Sequence, residues 1–175
     1  MEVRMNKKRM AWRGGLLGGL FAMLASLGGC DYFAQKELRP GVSTADDVRR
    51  LMGQPGMVWE QAGGGQVLEF VRGPEGAETY MVEIDPEGRY VGMRNVLVQE
   101  TFDRIRAGMQ QDEVRRMLGK PGEVERFPLR QEEVWSWRFS GDYNRQDMFN
   151  VHFGPDGQVR TTSVTAARDS AEVGR

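Results

Sequence analysis

The chain has 175 residues with 24 Lys plus Arg, 25 Asp plus Glu, one His and one Cys, for a formal net charge of −1. That balance excludes a basic nucleic-acid-binding protein, and a single cysteine excludes a disulfide-built scaffold or a multi-cysteine metal site. The length allows one ordinary domain, or two small ones that share a core.

The first element is a leader. Arg4, Lys7, Lys8, Arg9 and Arg13 are followed by an uncharged stretch, residues 14–29, rich in Leu, Met, Phe, Ala and Gly. This is the layout of an export signal covering 1–29. The stretch holds six glycines in 16 residues, shorter than the roughly 20 a spanning helix needs. It ends in Leu27-Gly28-Gly29-Cys30, which resembles the lipobox of bacterial lipoproteins. The resemblance implies cleavage before Cys30, a diacylglyceryl group on its sulfur and an acyl chain on the new amino terminus. Buried lipid contributes about 0.8 kcal/mol per CH₂, and more than one chain is needed for stable anchoring. Cleavage would leave 146 residues with 19 basic and 24 acidic side chains, of which 30–39 form a lipidated tether.

A repeat organises the rest. "RPGVSTADDVRRLMGQPG" at 39–56 returns as "IRAGMQQDEVRRMLGKPG" at 105–122, a period of about 66 residues. Val48-Arg49-Arg50 matches Val114-Arg115-Arg116, and Gly53-x-Pro55-Gly56 matches Gly119-x-Pro121-Gly122. Each copy predicts a short helix. Thr44 caps the first, Asp46 and Asp47 occupy its positive first turn, and Gly53 with Pro55 ends it. Val48, Leu51 and Met52 share one helical face, as do Val114, Met117 and Leu118.

Strands follow each helix. Tyr80, Val82 and Ile84 alternate, as do Trp135, Trp137 and Phe139, and Phe149, Val151 and Phe153. Asp85-Pro86-Glu87-Gly88 and Gly154-Pro155-Asp156-Gly157 turn the chain into a further strand. The expected fold is α+β: two tandem helix-plus-antiparallel-sheet repeats, 40–100 and 101–165, with the helices on one face of the sheet. A unit of about 60 residues buries too little surface to stand alone, so the copies should share an interface or a continuous sheet. Residues 166–175 are polar and aperiodic, and read as a frayed tail.

Few groups suggest chemistry. His152 lies between Val151 and Phe153 and reads as a sheet-surface histidine, with no thiol or second His to work with. Asp46-Asp47 and Asp112-Glu113 sit where helix amino termini favour negative charge, and Glu132-Glu133 reads as a solvated loop before a strand. Gly63-Gly64-Gly65 reads as a hairpin loop, since no Lys-Ser/Thr follows. No cofactor, metal or small-molecule substrate is expected. Arg49, Arg50, Arg115 and Arg116 are candidate contacts for acidic lipid or an acidic partner, or else ordinary helix-surface arginines paired one turn away. Trp135, Trp137 and Phe139 should pack beneath a helix, while Trp59, Phe70, Tyr90 and Tyr143 are left open as core or partner-facing aromatics.

Gly108-Met109, Val114-x-x-Met117-Leu118-Gly119-x-Pro121, Trp135-x-Trp137-x-Phe139 and Phe153-x-x-Asp156-Gly157 together resemble the SmpA/OmlA domain of BamE-like lipoproteins. The first repeat resembles it more loosely, with Val42 for the usual Met and one extra residue before the helix. That family carries one such unit; two in tandem resemble the β-lactamase inhibitor protein fold. The resemblance implies an outer-membrane lipoprotein on the periplasmic side, without catalysis, that binds protein partners such as β-barrel assembly machinery subunits. An alternative is a membrane-tethered inhibitor of a periplasmic or secreted enzyme; a hydrolase of envelope components stands further off. Asp31 follows the cysteine directly, and in some bacteria an aspartate there retains a lipoprotein in the inner membrane.

Overall fold

The computed structural model describes residues 37–141 and 145–167; the leader, Cys30, Asp31, Tyr143 and the residues after 167 lie outside that range. The elements run α1 (Ala45–Met52), β1 (Met57–Glu60), β2 (Gln66–Arg72), β3 (Glu78–Ile84), β4 (Tyr90–Asn95), a single-turn α2 (Gln99–Phe102), α3 (Gln111–Leu118), β5 (Glu123–Phe127), β6 (Glu132–Ser140), β7 (Gln146–Phe153) and β8 (Val159–Ala166). They build two four-stranded antiparallel sheets, β1-β2-β3-β4 and β5-β6-β7-β8, each preceded by a helix. The fold is the α+β tandem expected from the repeat. The two copies keep separate sheets and share an interface.

The copies agree down to single hydrogen bonds. Thr44 caps α1 by accepting from the Asp47 N–H at 3.2 Å, while Asp47 Oδ2 accepts from the Thr44 N–H at 2.9 Å. In the second copy Gln110 stands where Thr44 does, and its N–H donates to Glu113 Oε2 at 2.7 Å. Each helix start is tied to the far hairpin: the Ala45 N–H donates to Gly88 O at 3.0 Å, and the Gln111 N–H to Gly157 O at 3.2 Å. Gly53 and Gly119 end the helices at φ +76° and +79°, a region that L side chains avoid. Both sheets carry a register shift near the end of the third element of the meander, at Glu83/Ile84 and at His152/Phe153.

The layers follow from the two faces of β2 and β3. Leu68, Phe70, Val82, Ile84 and Tyr90 turn toward α1 and form a core with Val48 and Met52. On the other face of the same strands, Val67 and Met81 join the second core, with Val114, Leu118, Trp137, Phe149 and Phe153. The first sheet is therefore covered on both sides, and α3 lies between the sheets. The Trp135-Trp137-Phe139 face packs beneath α3 as expected: Trp137 and Phe139 are buried, and the Trp137 Nε1–H donates to Gly119 O at 3.1 Å, capping the helix carboxyl end. Phe102 of α2 stacks on Phe149 with ring centroids 4.1 Å apart and meets Phe139 edge-on at 4.9 Å. Residues 61–65 form the β1–β2 hairpin loop, closed by the Gln61 N–H to Gly65 O at 2.8 Å.

Candidate functional site

The sequence-singled arginines meet different fates. Arg49 and Arg50 pair with Asp46 at 3.1 Å and Asp47 at 2.6 Å, one turn away on α1. Hydrogen bonds from Thr44 and then Arg50 hold the Asp47 carboxyl below the usual carboxylate value. Arg115 turns inward. Its Nη1–H donates to Glu69 Oε2 at 2.7 Å, with side-chain exposures of 16% and 1%. Glu69 also accepts from the Lys120 backbone N–H at 2.8 Å and the Trp59 Nε1–H at 3.3 Å. The Arg115 and Arg116 guanidinium carbons lie 5.2 and 4.8 Å from the Trp59 ring centroid. Glu69 of the first sheet thus accounts for Arg115 and joins the repeats. Cys30 lies outside the described residues.

Of the aromatics left open, Phe70 and Tyr90 belong to the first core, and burial raises the Tyr90 hydroxyl above its ordinary value. Trp59 is half-buried beneath the two arginines.

The surface offering most to a ligand runs along β8. A cleft of about 580 Å³ is lined by Phe102, Ile105, Arg106, Phe149, Ser163 and Val164. A second, about 370 Å³, is lined by Val98, Phe139, Arg145 and Asp147, and the two share Gln99 and Val164. Phe102, Ile105 and Phe149 lie almost fully buried beneath the larger cleft, and Val164 is 54% exposed. Among the described residues no strand pairs with the outer edge of β8, so part of its backbone lacks a ladder partner. Two other edges are guarded: β1 has four residues, and β5 carries Glu123, Glu125 and Arg126. β4 and β8 are each met at their first residue, Tyr90 by Gly41 and Ser43 and Val159 by Gly108 and Met109. Beyond Val159, β8 runs Arg-Thr-Thr-Ser-Val-Thr-Ala with one charge and borders both clefts.

In the second sheet the structure corrects the reading of Glu132-Glu133 as a solvated loop. Both residues lie in β6 and both carboxylates are engaged. Glu133 accepts from Trp135 Nε1 at 2.6 Å, Arg126 Nε at 2.7 Å and Gln111 Nε2 at 3.1 Å. Burial pushes its carboxyl up, but those donors outweigh burial and hold it below the usual range. Glu132 Oε1 lies 2.9 Å from His152 Nδ1, and His152 Nε2 lies 3.0 Å from Ser163 Oγ. Asn150 Nδ2 lies 3.4 Å from Ser163 Oγ and 3.1 Å from Thr165 Oγ1. Nothing in the linear pattern marks Ser163 or Asn150. Their meeting depends on register: His152 faces Val134 on β6 and Thr161 on β8, so Glu132 and Ser163 are its diagonal neighbours.

No group of three or more His, Cys, Asp or Glu among the described residues is placed to hold a metal ion. No helix among them is long and apolar enough to cross a membrane. No protein-family model matches the chain. No curated protein matches it significantly. Three solved structures are similar in part. One is described as an osmotically inducible lipoprotein, OsmE, 24% identical over 41% of this chain and 82% of its own, TM-score 0.36. A second is a DUF4309-family protein, YjgB, from Bacillus subtilis, 16% identical over 75% of this chain and 84% of its own, TM-score 0.29. The third is described as a β-lactamase inhibitor protein from Streptococcus mutans, 11% identical over 70% of this chain and 82% of its own, TM-score 0.28. At these scores the likenesses say nothing about what the chain binds.

Proposed function

We propose that this chain is an envelope lipoprotein, anchored through Cys30, that works by binding an extended segment of a partner protein along β8, in the manner of an outer-membrane β-barrel assembly factor. The observation that carries the reading is the cleft between α2 and β8. There an uncovered, nearly uncharged strand edge borders a cleft whose wall carries the exposed Val164. Main-chain hydrogen bonds to β8 would supply affinity, and the cleft would select an apolar side chain at alternate positions. The lipid raises the effective concentration of this edge at the membrane surface. The lipobox-like leader and the SmpA/OmlA-like spacing support the envelope setting and the choice of partner class.

The test places a photo-crosslinking residue at Val164 in the full lipidated chain, in intact cells, and identifies the captured neighbour. Capture of barrel-assembly subunits or of unassembled barrel strands supports the reading. Capture of a soluble periplasmic enzyme instead, at 1:1 stoichiometry, replaces it with a tethered inhibitor. Capture from a control site at Arg50 on α1, with none from Val164, moves the binding face off β8 and rejects it.

A further inference from the structure

From the side chains that meet on the outer face of the second sheet, we infer that Ser163 is an activated nucleophile, with His152 as its general base and Glu132 orienting that base, able to take an acyl group from a carboxylic ester. This goes beyond partner binding, and departs from the sequence-based expectation that the chain does no chemistry.

The hydrogen-bond roles follow from one tautomer of His152. With its proton on Nδ1, the imidazole donates to Glu132 Oε1 across 2.9 Å. Nε2 then presents its lone pair to Ser163 Oγ at 3.0 Å, and the hydroxyl must donate. The Asn150 amide approaches the same Oγ from the other side at 3.4 Å, where it can only donate. One group is placed to withdraw the hydroxyl proton and a second orients that group, which is the arrangement that activates a serine in acyl transfer. Arg130 Nε lies 3.6 Å from Glu132 Oε2 of the same carboxyl group.

The surroundings suit an ester with an apolar acyl group. Ser163 also borders the cleft of about 580 Å³, beside the exposed Val164. The Ser163 and Val164 side chains point to opposite faces of one edge strand, so an ester bound across that edge would set its acyl chain in the cleft and its carbonyl near Oγ. Alternate backbone N–H groups along an unpaired edge are donors of the kind that stabilise an oxyanion.

The step balances. Ser163 Oγ forms a bond to the carbonyl carbon as its proton passes to His152 Nε2, and the ester C–O bond breaks as that proton goes to the departing alkoxide. Water, deprotonated by His152, then attacks the acyl-serine, giving a carboxylic acid and restoring the hydroxyl.

The experiment treats the full chain in detergent with a fluorophosphonate, and separately with p-nitrophenyl butyrate, and locates adducts by peptide mass spectrometry. Expected are a single phosphonyl adduct on Ser163, none in Ser163→Ala, and labelling at least about 100-fold slower in His152→Gln, the usual loss of a general base. Glu132→Gln should slow labelling without abolishing it, and Glu132→Asp should recover part of the rate. Circular dichroism confirms that each variant is folded; Ser163→Ala removes one oxygen, so its fold is expected to be intact. An unlabelled Ser163 in the folded parent, adducts spread equally over Ser136 and Thr165, or labelling unchanged in folded His152→Gln would each overturn the inference. Crosslinking from Val164 persists in Ser163→Ala if partner binding is independent, so the two readings fail separately.

Discussion

Replacing Arg115 by methionine removes the cation beside a carboxylate that is 1% exposed, while leaving most of the packing of its aliphatic stem. Glu69 would keep the Lys120 N–H and the Trp59 indole N–H, two neutral donors at 2.8 and 3.3 Å, but would lose the guanidinium at 2.7 Å. Breaking a buried pair in this way costs about 3–5 kcal/mol. Arg115 keeps 16% exposure, so solvent already screens part of the pair and the lower end, about 3 kcal/mol, applies. At about 4 °C per kcal/mol for a chain of this size, Arg115→Met should lower the melting temperature by about 12 °C. Glu69→Gln should cost only about 1–2 kcal/mol, because its amide oxygen can still accept from Lys120. The double variant should be less destabilised than the sum, with a coupling of about 1–3 kcal/mol in a double-mutant cycle read by urea unfolding. Since Met81 and Val67 of the first sheet belong to the second core, the parent should melt in one transition. A melting temperature for Arg115→Met within about 2 °C of the parent would refute the claim that this ion pair fastens the repeats.

Gly53 and Gly119 end their helices at nearly the same positive φ, so alanine should cost each about 1–3 kcal/mol of backbone strain. Only at Gly119 would the new Cβ lie 2.7 Å from Thr79 Cγ2, whereas nothing lies within 4 Å at Gly53. Gly119→Ala should therefore lose about 1–3 kcal/mol more than Gly53→Ala in urea titrations; equal losses would contradict the close approach of α3 to the first sheet. Asp47 and Glu133 are held below their ordinary values of 3.8 and 4.5. A carboxyl whose folded pKa is depressed contributes stability above its unfolded pKa and loses it as pH falls through the folded value. The melting temperature should accordingly be flat above about pH 5 and fall below it, and Glu133→Gln should reduce that fall. Val164→Lys, which places a charge at the shared wall of the two clefts, should abolish photo-capture from a neighbouring position such as Thr162 while leaving the melting temperature within about 2 °C.

What could be read from the sequence divides along sequence separation. Thr44 three residues before Asp47, and Gly53 after Met52, act through bonds that close within one helical turn, so their residue types and spacing carry the whole signal. The alternation of Trp135, Trp137 and Phe139 likewise says which side chains share a face, because a strand has period two whatever its partner. The same rule was ambiguous for β3. Tyr80, Val82 and Ile84 mark one buried face, yet Met81 on the other is also buried, because a second core covers it; a single sheet packed on one side would have left it in water. Long-range pairs fell further out of reach. Glu69 is separated from Arg115 by 46 residues, and nothing local distinguishes it from a surface glutamate in an alternating strand. His152 shows the limit most clearly. Its neighbours in the chain, Val151 and Phe153, suggest a bland surface residue, whereas its chemical setting comes from Glu132 and Ser163, 20 and 11 residues away. Those two reach it only through the diagonal offset of two strand pairings, next to the register shift at His152/Phe153. A slip of one residue in either pairing would turn Glu132 or Ser163 to the opposite face, so it is the register of β6 and β8 that gives the imidazole an acceptor on one nitrogen and a hydroxyl on the other.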